Sequence, residues 1–289
     1  MIPAAFSYQR PSSLEEAVAA LAAADGSAKV IAGGHSLLPL MKLRLADPAT
    51  LIDIGRLSEL RGAGPTADGG FEIGALTTYA EVLAATELTI ARECIAGIGD
   101  VQVRNRGTIG GALSHCDPAS DLAALALALD YSVVLRSARG ERTVPLDGFF
   151  QGTFVTGMAP DEILVKAVRG PLPTGSGGAY RKLAQPASGY PIVGVAAVLG
   201  HRHGVFGSSE IDHVRVAVTG VAEAPYRAKA VEDALTGTDC SPDKIAAAAQ
   251  RAIEGVAVGS DIHADAAYRS AMAVVLTRQA LEAARARSS

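Results

Sequence analysis

Two glycine pairs constrain this chain more than any other feature. Gly33-Gly34 follows the short apolar run Lys29-Val30-Ile31, and Gly110-Gly111 closes the stretch Arg106-Gly107-Thr108-Ile109. Glycine reaches positive φ without a Cβ clash, so a strand ending in Gly-Gly can turn sharply and aim successive N–H groups at one point. A diphosphate is a natural guest for such a nest. Each charge-assisted bond contributes about 1.5–3 kcal/mol, so three or four hold a dinucleotide without a lysine, and Ser36 adds a hydroxyl donor. Taken singly, each pair reads as an ordinary turn before it reads as an anion site. The second stretch has the same build as the first, however, and two such loops can close on one extended cofactor. Asp117-Pro118 stands where it would cap a following helix, with Asp121 in its first turns. Neither stretch is a P-loop, lacking the Lys-Ser/Thr pair, and neither has G-x-G-x-x-G spacing.

The 289 residues suffice for two units at about 150 residues per domain. Ser12 and Glu15 predict a capping box ahead of a short helix with Leu14, Ala17, Val18 and Leu21 on one face, ended by Asp25-Gly26. Strands at Lys29-Val30-Ile31 and Leu51-Ile52-Asp53-Ile54 complete a small α/β unit over residues 1–55. A second, larger unit over 56–175 holds a strand at Phe71-Glu72-Ile73, a Thr78/Glu81 capping box, an apolar helix within Leu122–Leu129, and β segments at Ser132–Arg136 and Ile163–Arg169. Pro171, Pro173, Gly175, Gly177 and Gly178 form a linker. Beyond it, residues 176–289 predict strands at Ile192–Leu199 and Ile211–Thr219, helices opened by Pro225 and by Ser241-Pro242, and a last helix over Ala266–Ala284.

Composition removes several function classes. A net charge of −4 gives no electrostatic footprint for nucleic acid, with Arg104 and Arg106 too few to form one. No apolar run approaches the roughly 20 residues that span a bilayer. Met1–Arg10 has no leader-like pattern, so a cytoplasmic location is the expectation. Cys94, Cys116 and Cys240 are too widely spaced for zinc or an iron–sulfur cluster, so no metal site is expected here. Cys116 follows His115 in sequence, which alone makes no catalytic pair, and a buried thiol is expected.

Ala32-Gly33-Gly34-His35-Ser36-Leu37-Leu38-Pro39 and Val103-Arg104-Asn105-Arg106-Gly107-Thr108-Ile109-Gly110-Gly111 together resemble the flavoprotein subunit of molybdenum hydroxylases, the xanthine dehydrogenase family. Within it the resemblance is nearest to the carbon monoxide dehydrogenase branch. It extends through Ile73-Gly74-Ala75-Leu76-Thr77-Thr78, Tyr180-Arg181-Lys182 and Ala224-Pro225-Tyr226-Arg227-Ala228, and so covers nearly the whole chain. The resemblance implies an α+β fold: a two-subdomain FAD-binding domain of the vanillyl-alcohol-oxidase (PCMH) type, followed by a smaller C-terminal α/β domain.

The resemblance further implies that Ala32, Gly33, Gly34, His35, Ser36 and Leu37, with Thr108, Ile109, Gly110 and Gly111, bind the FAD pyrophosphate and ribityl chain. Asp121 would reach the ribityl or ring region, Lys182 the pyrimidine edge and Tyr190 the isoalloxazine, with His115 and Asp117 beside them. A cation near the pyrimidine favours reduced flavin, and an aromatic plane can cover the ring. On residue type alone, Lys182 reads first as a solvated strand-end lysine and Tyr190 as an ordinary turn aromatic; the resemblance turns both toward the flavin. His35 and His115 read as neutral donors to the cofactor or as packed turn histidines. Relatives often carry Asn where this chain has Ala112, which offers no side-chain hydrogen bond. The expected partners are a large subunit with the molybdopterin cofactor and a small subunit with two [2Fe-2S] clusters, arranged as a dimer of heterotrimers. Peripheral attachment at the inner membrane face would come through those partners. This chain would then be an electron-transferring oxidoreductase subunit with no catalytic side chain of its own. Alternatives are a self-sufficient flavin oxidase or reductase of the same fold, and a flavin-free scaffold that docks partner subunits.

Overall fold

The computed structural model describes residues 2–203 and 209–288. Its first sheet has three parallel strands in the order Ser7–Gln9, Thr50–Asp53, Ala28–Ile31. The helix Leu14–Ala23 buries Ala17, Val18 and Leu21 with Ile52 and Ile54. It stops where Asp25 (φ 44°) and Gly26 (φ 82°) both turn left-handed. The helix cap lies one residue beyond the expected Ser12/Glu15 box. Ser13 Oγ accepts from Glu16 N, and Glu16 reaches back to the Ser12 N–H and hydroxyl. All three residues of Ser7–Gln9 are exposed, so no apolar alternation announced that strand.

The second sheet is antiparallel, in the order Ala63–Pro65, Phe71–Gly74, Ile163–Arg169, Ser132–Ser137, Gly140–Pro145. Successive strand side chains point to opposite faces, and here both faces are covered. Val134, Ile163 and Val165 share a core with Val18 and Ile52, whereas Ile73, Val133, Leu135 and Ala167 pack with Ile109, Leu113 and Leu125. Those last three belong to the helices Ile109–His115 and Asp121–Ala128, which lie beside Tyr79–Ala85 and Thr89–Ala96. The Thr78/Glu81 capping box opens Tyr79–Ala85 as expected.

The third sheet is antiparallel, in the order Gly177–Ala184, Pro191–His203, Ser209–Thr219, Tyr226–Arg227. Val193, Val195, Ala197 and Leu199 pack with Ala273, Leu276 and Ala280 of the last helix, Ala266–Arg285. On the opposite face Tyr180, Ala196, Val198 and Ala217 join the core of the second sheet's helices. Asp121–Ala128 is therefore enclosed by protein, and each of its eight residues is buried. A helix apolar all round is stable only in such a place.

Two further expectations need correction here. Gly177 and Gly178 belong to a strand rather than to the linker, pairing with Leu199 and Val198. Their lack of side chains serves close packing, since a Cβ on Gly177 would lie 2.1 Å from the Ala284 carbonyl oxygen. Pro225 opens no helix; Tyr226–Arg227 is an edge strand and the helix runs Lys229–Leu235. Ser241-Pro242 does open the helix Pro242–Ala249, without a side-chain cap bond. Val101–Arg106, for which no element was expected, is helical because Asp100 caps it, accepting from Val103 N.

Glu93 fastens the helices to the third sheet. Its carboxylate takes Arg287 Nη1 and Nη2 at 3.0 and 2.6 Å, the Tyr180 N–H at 2.9 Å and Arg181 Nη1 at 3.2 Å. Burial alone would raise its pKa, but these donors hold it down at about 2. A carboxyl depressed in the folded state stabilises above its unfolded pKa of about 4.3, and that contribution disappears as pH falls toward the folded value. Glu93→Gln should lower unfolding stability at pH 7 by about 1–3 kcal/mol. Urea melts should show the difference from wild type shrinking between about pH 4.3 and pH 2; a pH-independent difference would refute the assignment.

Candidate cofactor-binding cleft

The strand Ala28–Ile31 delivers the chain to Ala32 at the edge of the first sheet, where Gly34 takes φ 77°. The N–H groups of Gly33, Gly34, His35 and Ser36 donate to no group among the described residues. Ser36 then begins the helix Leu37–Lys42, and its hydroxyl makes no cap bond. His35 Nδ1 lies 3.3 Å from the Gly33 carbonyl, and its ring is exposed. Four consecutive unpartnered donors around a left-handed glycine form an anion-accepting nest.

The second glycine pair is built differently, which corrects the expectation of two like loops. Thr108 is the cap of the helix Ile109–His115, its Oγ accepting from Gly111 N at 3.2 Å. Ile109 N donates to Thr77 O at 3.0 Å and Gly110 N to Ala75 O at 2.8 Å. With these N–H groups committed, the glycines here provide space. A Cβ on Gly110 would lie 2.5 Å from Ala75 Cβ, and one on Gly107 would lie 2.6 Å from the Tyr79 ring. Gly111 is exposed, with Thr108 Oγ the nearest atom to its Cβ position, and Ala112 is half-buried behind it.

The two segments nevertheless meet. A Cβ on Gly33 would stand 2.0 Å from the Arg106 carbonyl oxygen, so only glycine permits this approach. Between them lies a cleft of about 410 Å³, lined by Ala32, Gly33, Gly55, Leu76 and Thr108, with Arg61 and Arg106 as its cations. Arg61 is partly committed to Glu81, 3.4 Å away.

Asp121, Lys182, Tyr190, Asp117 and His115 gather in a second cluster. Lys182 Nζ is 2.9 Å from Asp121 Oδ1 and donates to the carbonyls of Gly97 (2.7 Å) and Gly189 (2.9 Å). Its three protons are thus occupied, so it is neither the solvated lysine nor the free cation that the sequence left open. Tyr180, which the sequence reading placed only in a motif, donates its hydroxyl to the same Asp121 oxygen at 2.7 Å. Gly194 makes room for that hydroxyl, since a Cβ there would lie 2.3 Å from it. Burial pushes the Asp121 carboxyl up, against the pull of Lys182 and Tyr180.

Asp117 does not cap the Asp121–Ala128 helix; Ser120 does, accepting from Ala123 N. Asp117 instead accepts from Ala119 N at 2.9 Å, closing the turn before it. Its neighbour Pro118 presents a carbonyl that takes Thr219 Oγ and Gly220 N, both at 2.8 Å, tying this turn to the third sheet. His115 stacks on Phe154 at 4.8 Å, and burial lowers its pKa, so the ring is neutral at pH 7. Cys116 Sγ donates to Gly152 O and burial raises its pKa, which leaves it no nucleophilic character. Tyr190 sits on the turn before Pro191, half its surface exposed, and burial followed by the Asp117 and Asp121 charges raises its hydroxyl pKa.

Tyr79 links the two clusters and was missed in the sequence. Its ring lies against Gly107, and burial, then Tyr190 and Asp121, raise its pKa. The available signal was weak, because an aromatic at the first position of a capped helix usually only packs. Across these groups the chain offers a backbone nest, a glycine-floored cleft and a polar cluster, but no nucleophile paired with a base.

Two substitutions test this geometry. Lys182→Met strands the Asp121 carboxylate in a buried site and should cost about 3–5 kcal/mol in chemical denaturation; a loss below about 1 kcal/mol would mean that the pair does not form. Gly33→Ala should separate the two segments and destabilise by about 1–3 kcal/mol. Hydrogen exchange localises its effect: faster exchange at Tyr79 and Ile109, whose N–H groups anchor the segment that follows Arg106, is expected, and unchanged rates would sink the contact.

Residues 4–173 match the family model described as the FAD binding domain in molybdopterin dehydrogenase, and residues 178–284 match the CO dehydrogenase flavoprotein C-terminal domain. The chain is 40% identical to the carbon monoxide dehydrogenase medium chain of Hydrogenophaga pseudoflava, over 99% of each. It is 35% identical to the glyceraldehyde dehydrogenase medium chain of Sulfolobus acidocaldarius, over 98% of this chain and 99% of that one. Its structure superimposes on carbon monoxide dehydrogenase from H. pseudoflava, in a form lacking the Mo-pyranopterin moiety of the molybdenum cofactor. The TM-score is 0.94 at 41% identity, with both chains fully covered.

Proposed function

We propose, for a chain that belongs to the FAD-binding medium-subunit family of the molybdenum hydroxylases, the role of electron exit in a multi-subunit oxidoreductase. It holds FAD and passes electrons from the [2Fe-2S] clusters of a small partner subunit to an external acceptor. The observation that carries this reading is the run of four unpartnered N–H groups from Gly33 to Ser36, opening beside the cleft of about 410 Å³. Such a nest neutralises a diphosphate with backbone dipoles that are already oriented. When bound, FAD supplies the redox chemistry, which no side chain of this chain provides.

In this reading Ala32–Leu37 grip the pyrophosphate, and Thr108–Gly111 border the ribityl chain, with Gly111 giving the backbone an open face. Ala112 adds no side-chain bond, so the hold there is steric and through the backbone. Asp121, Lys182 and Tyr190 face the ring region, with His115 and Asp117 completing that wall. Because Lys182 is bonded on all three sides, its influence on the flavin is that of a fixed dipole with Asp121 rather than of a free cation.

The units are residues 1–55 and 56–175 for FAD and 176–289 for the C-terminal domain. A large subunit bears the molybdopterin cofactor, and the assembly is a cytoplasmic dimer of heterotrimers that reaches the inner membrane face through its partners. No described helix is long and apolar enough to cross a membrane. Relatives named for carbon monoxide and for glyceraldehyde align with this chain over nearly its whole length, which supports substrate choice in the large subunit.

The full chain purified with its natural neighbours should carry a flavin spectrum together with iron and molybdenum. Gly34→Val, which forces a branched residue to φ 77°, should weaken FAD retention at least about tenfold while leaving the far-ultraviolet circular dichroism intact. A colourless, folded wild-type chain would refute FAD binding; flavin without iron or molybdenum in the native preparation would instead indicate a self-sufficient flavoenzyme.

A further inference from the structure

A second cavity, of about 340 Å³, lies on the opposite side of the Ile109–His115 helix from Gly111. Its interior is aliphatic, formed by Ile73, Val82, Ile95, Leu113, Leu122 and Leu125. Its rim includes the exposed residues Pro65, Gly69, Ala85 and Glu87, so the space opens to solvent. This volume falls at the small end of the roughly 300–1,000 Å³ typical of ligand sites, and it exceeds the apolar cavities of about 150 Å³ that accept benzene.

One cation lines this cavity. Arg169 ends the strand Ile163–Arg169 opposite Phe71, and its guanidinium lies 5.7 Å from the Phe71 ring centroid and 5.9 Å from that of Tyr131. Arg169 Nη1 donates to Gly170 O, but Nε is buried and has no hydrogen-bond partner among the described residues. A buried guanidinium donor without an acceptor is costly, and native structures seldom leave one so. The carboxylate on the rim does not satisfy it, because Glu87 extends into solvent and pairs with Arg92 at 3.3 Å. The apolar interior and the one guanidinium at its wall define a ligand with an aliphatic body and an anionic head.

We infer that this cavity is a binding site for a small aliphatic carboxylate, with its chain among the helices and its carboxylate paired with the Arg169 guanidinium. The site is independent of the FAD reading, since it shares no polar group with the nest at Gly33–Ser36. It touches that region through Ile109 and Leu113, whose helix carries Gly111 on its other side.

Calorimetry on the full chain tests this with octanoate as the probe, octan-1-ol as the headless control and acetate as the tailless one. Octanoate should saturate a single site and acetate should not. Arg169→Gln should weaken octanoate at least about tenfold while leaving octan-1-ol unchanged, which separates the head contact from the tail contact. Ala85→Trp, at the exposed rim, should block both without touching the core. Absence of saturable octanoate binding, or equal octanoate affinity in wild type and Arg169→Gln, would overturn the assignment. So would undiminished octanoate binding in Ala85→Trp with a native circular dichroism spectrum.

Discussion

The buried pair between Asp121 and Lys182 organises much of the rest. Removing two charges from water is expensive, and such a pair persists where hydrogen bonds satisfy every remaining lone pair and proton. Here Tyr180 takes the same Asp121 oxygen, and the Gly97 and Gly189 carbonyls take the other protons of Lys182. The five residues come from four segments: the start of a helix, the strand of the third sheet that carries both Tyr180 and Lys182, the turn after Thr89–Ala96 and the turn that carries Tyr190. Satisfying one carboxylate and one ammonium therefore fixes four segments at once. Glu93 repeats the device nearer the surface, where Arg287 and Arg181 supply the charges and solvent reduces the cost.

Much of this fold could be read from the chain, wherever the determinant was local. Thr78 and Glu81 announced their helix because a capping box is satisfied within four residues. The apolar run at Leu122–Leu129 announced a buried helix because no polar face was present. Misreadings occurred where a distant partner decided the matter. Gly177 and Gly178 look like linker residues until the last helix is set against them, and Ser7–Gln9 gains strand structure from Thr50–Ile52 rather than from its own pattern.

The same division holds at the cleft. The left-handed turn at Gly34 is written in the Gly-Gly dipeptide. That Gly110 spends its N–H on Ala75, leaving only one of the two glycine segments with a free run of donors, follows from a contact 35 positions away in the chain. Motif similarity hides this difference, because glycine is required in both places for unlike reasons: conformation at Gly34 and proximity at Gly33, Gly107 and Gly110. Tyr79 and Tyr180 illustrate the limit from the other direction, since nothing in their immediate sequence indicates the carboxylate or the tyrosine they meet.

The helix Asp121–Ala128, held between the second sheet's helices and the third sheet and without a solvent face, also bears on how such a protein matures. Hinging the third sheet away from the remainder would uncover a helix with seven apolar positions and break the Asp121 pair, so the finished molecule cannot open like a clamp to admit a bulky guest. In the proposed arrangement, with FAD reaching the Tyr190 turn, the cofactor either threads in through the mouth of the cleft or is taken up while the C-terminal strands are still undocked. The order of chain synthesis suits the second route, because the segments around Gly33 and Gly111 leave the ribosome well before the strands of the third sheet.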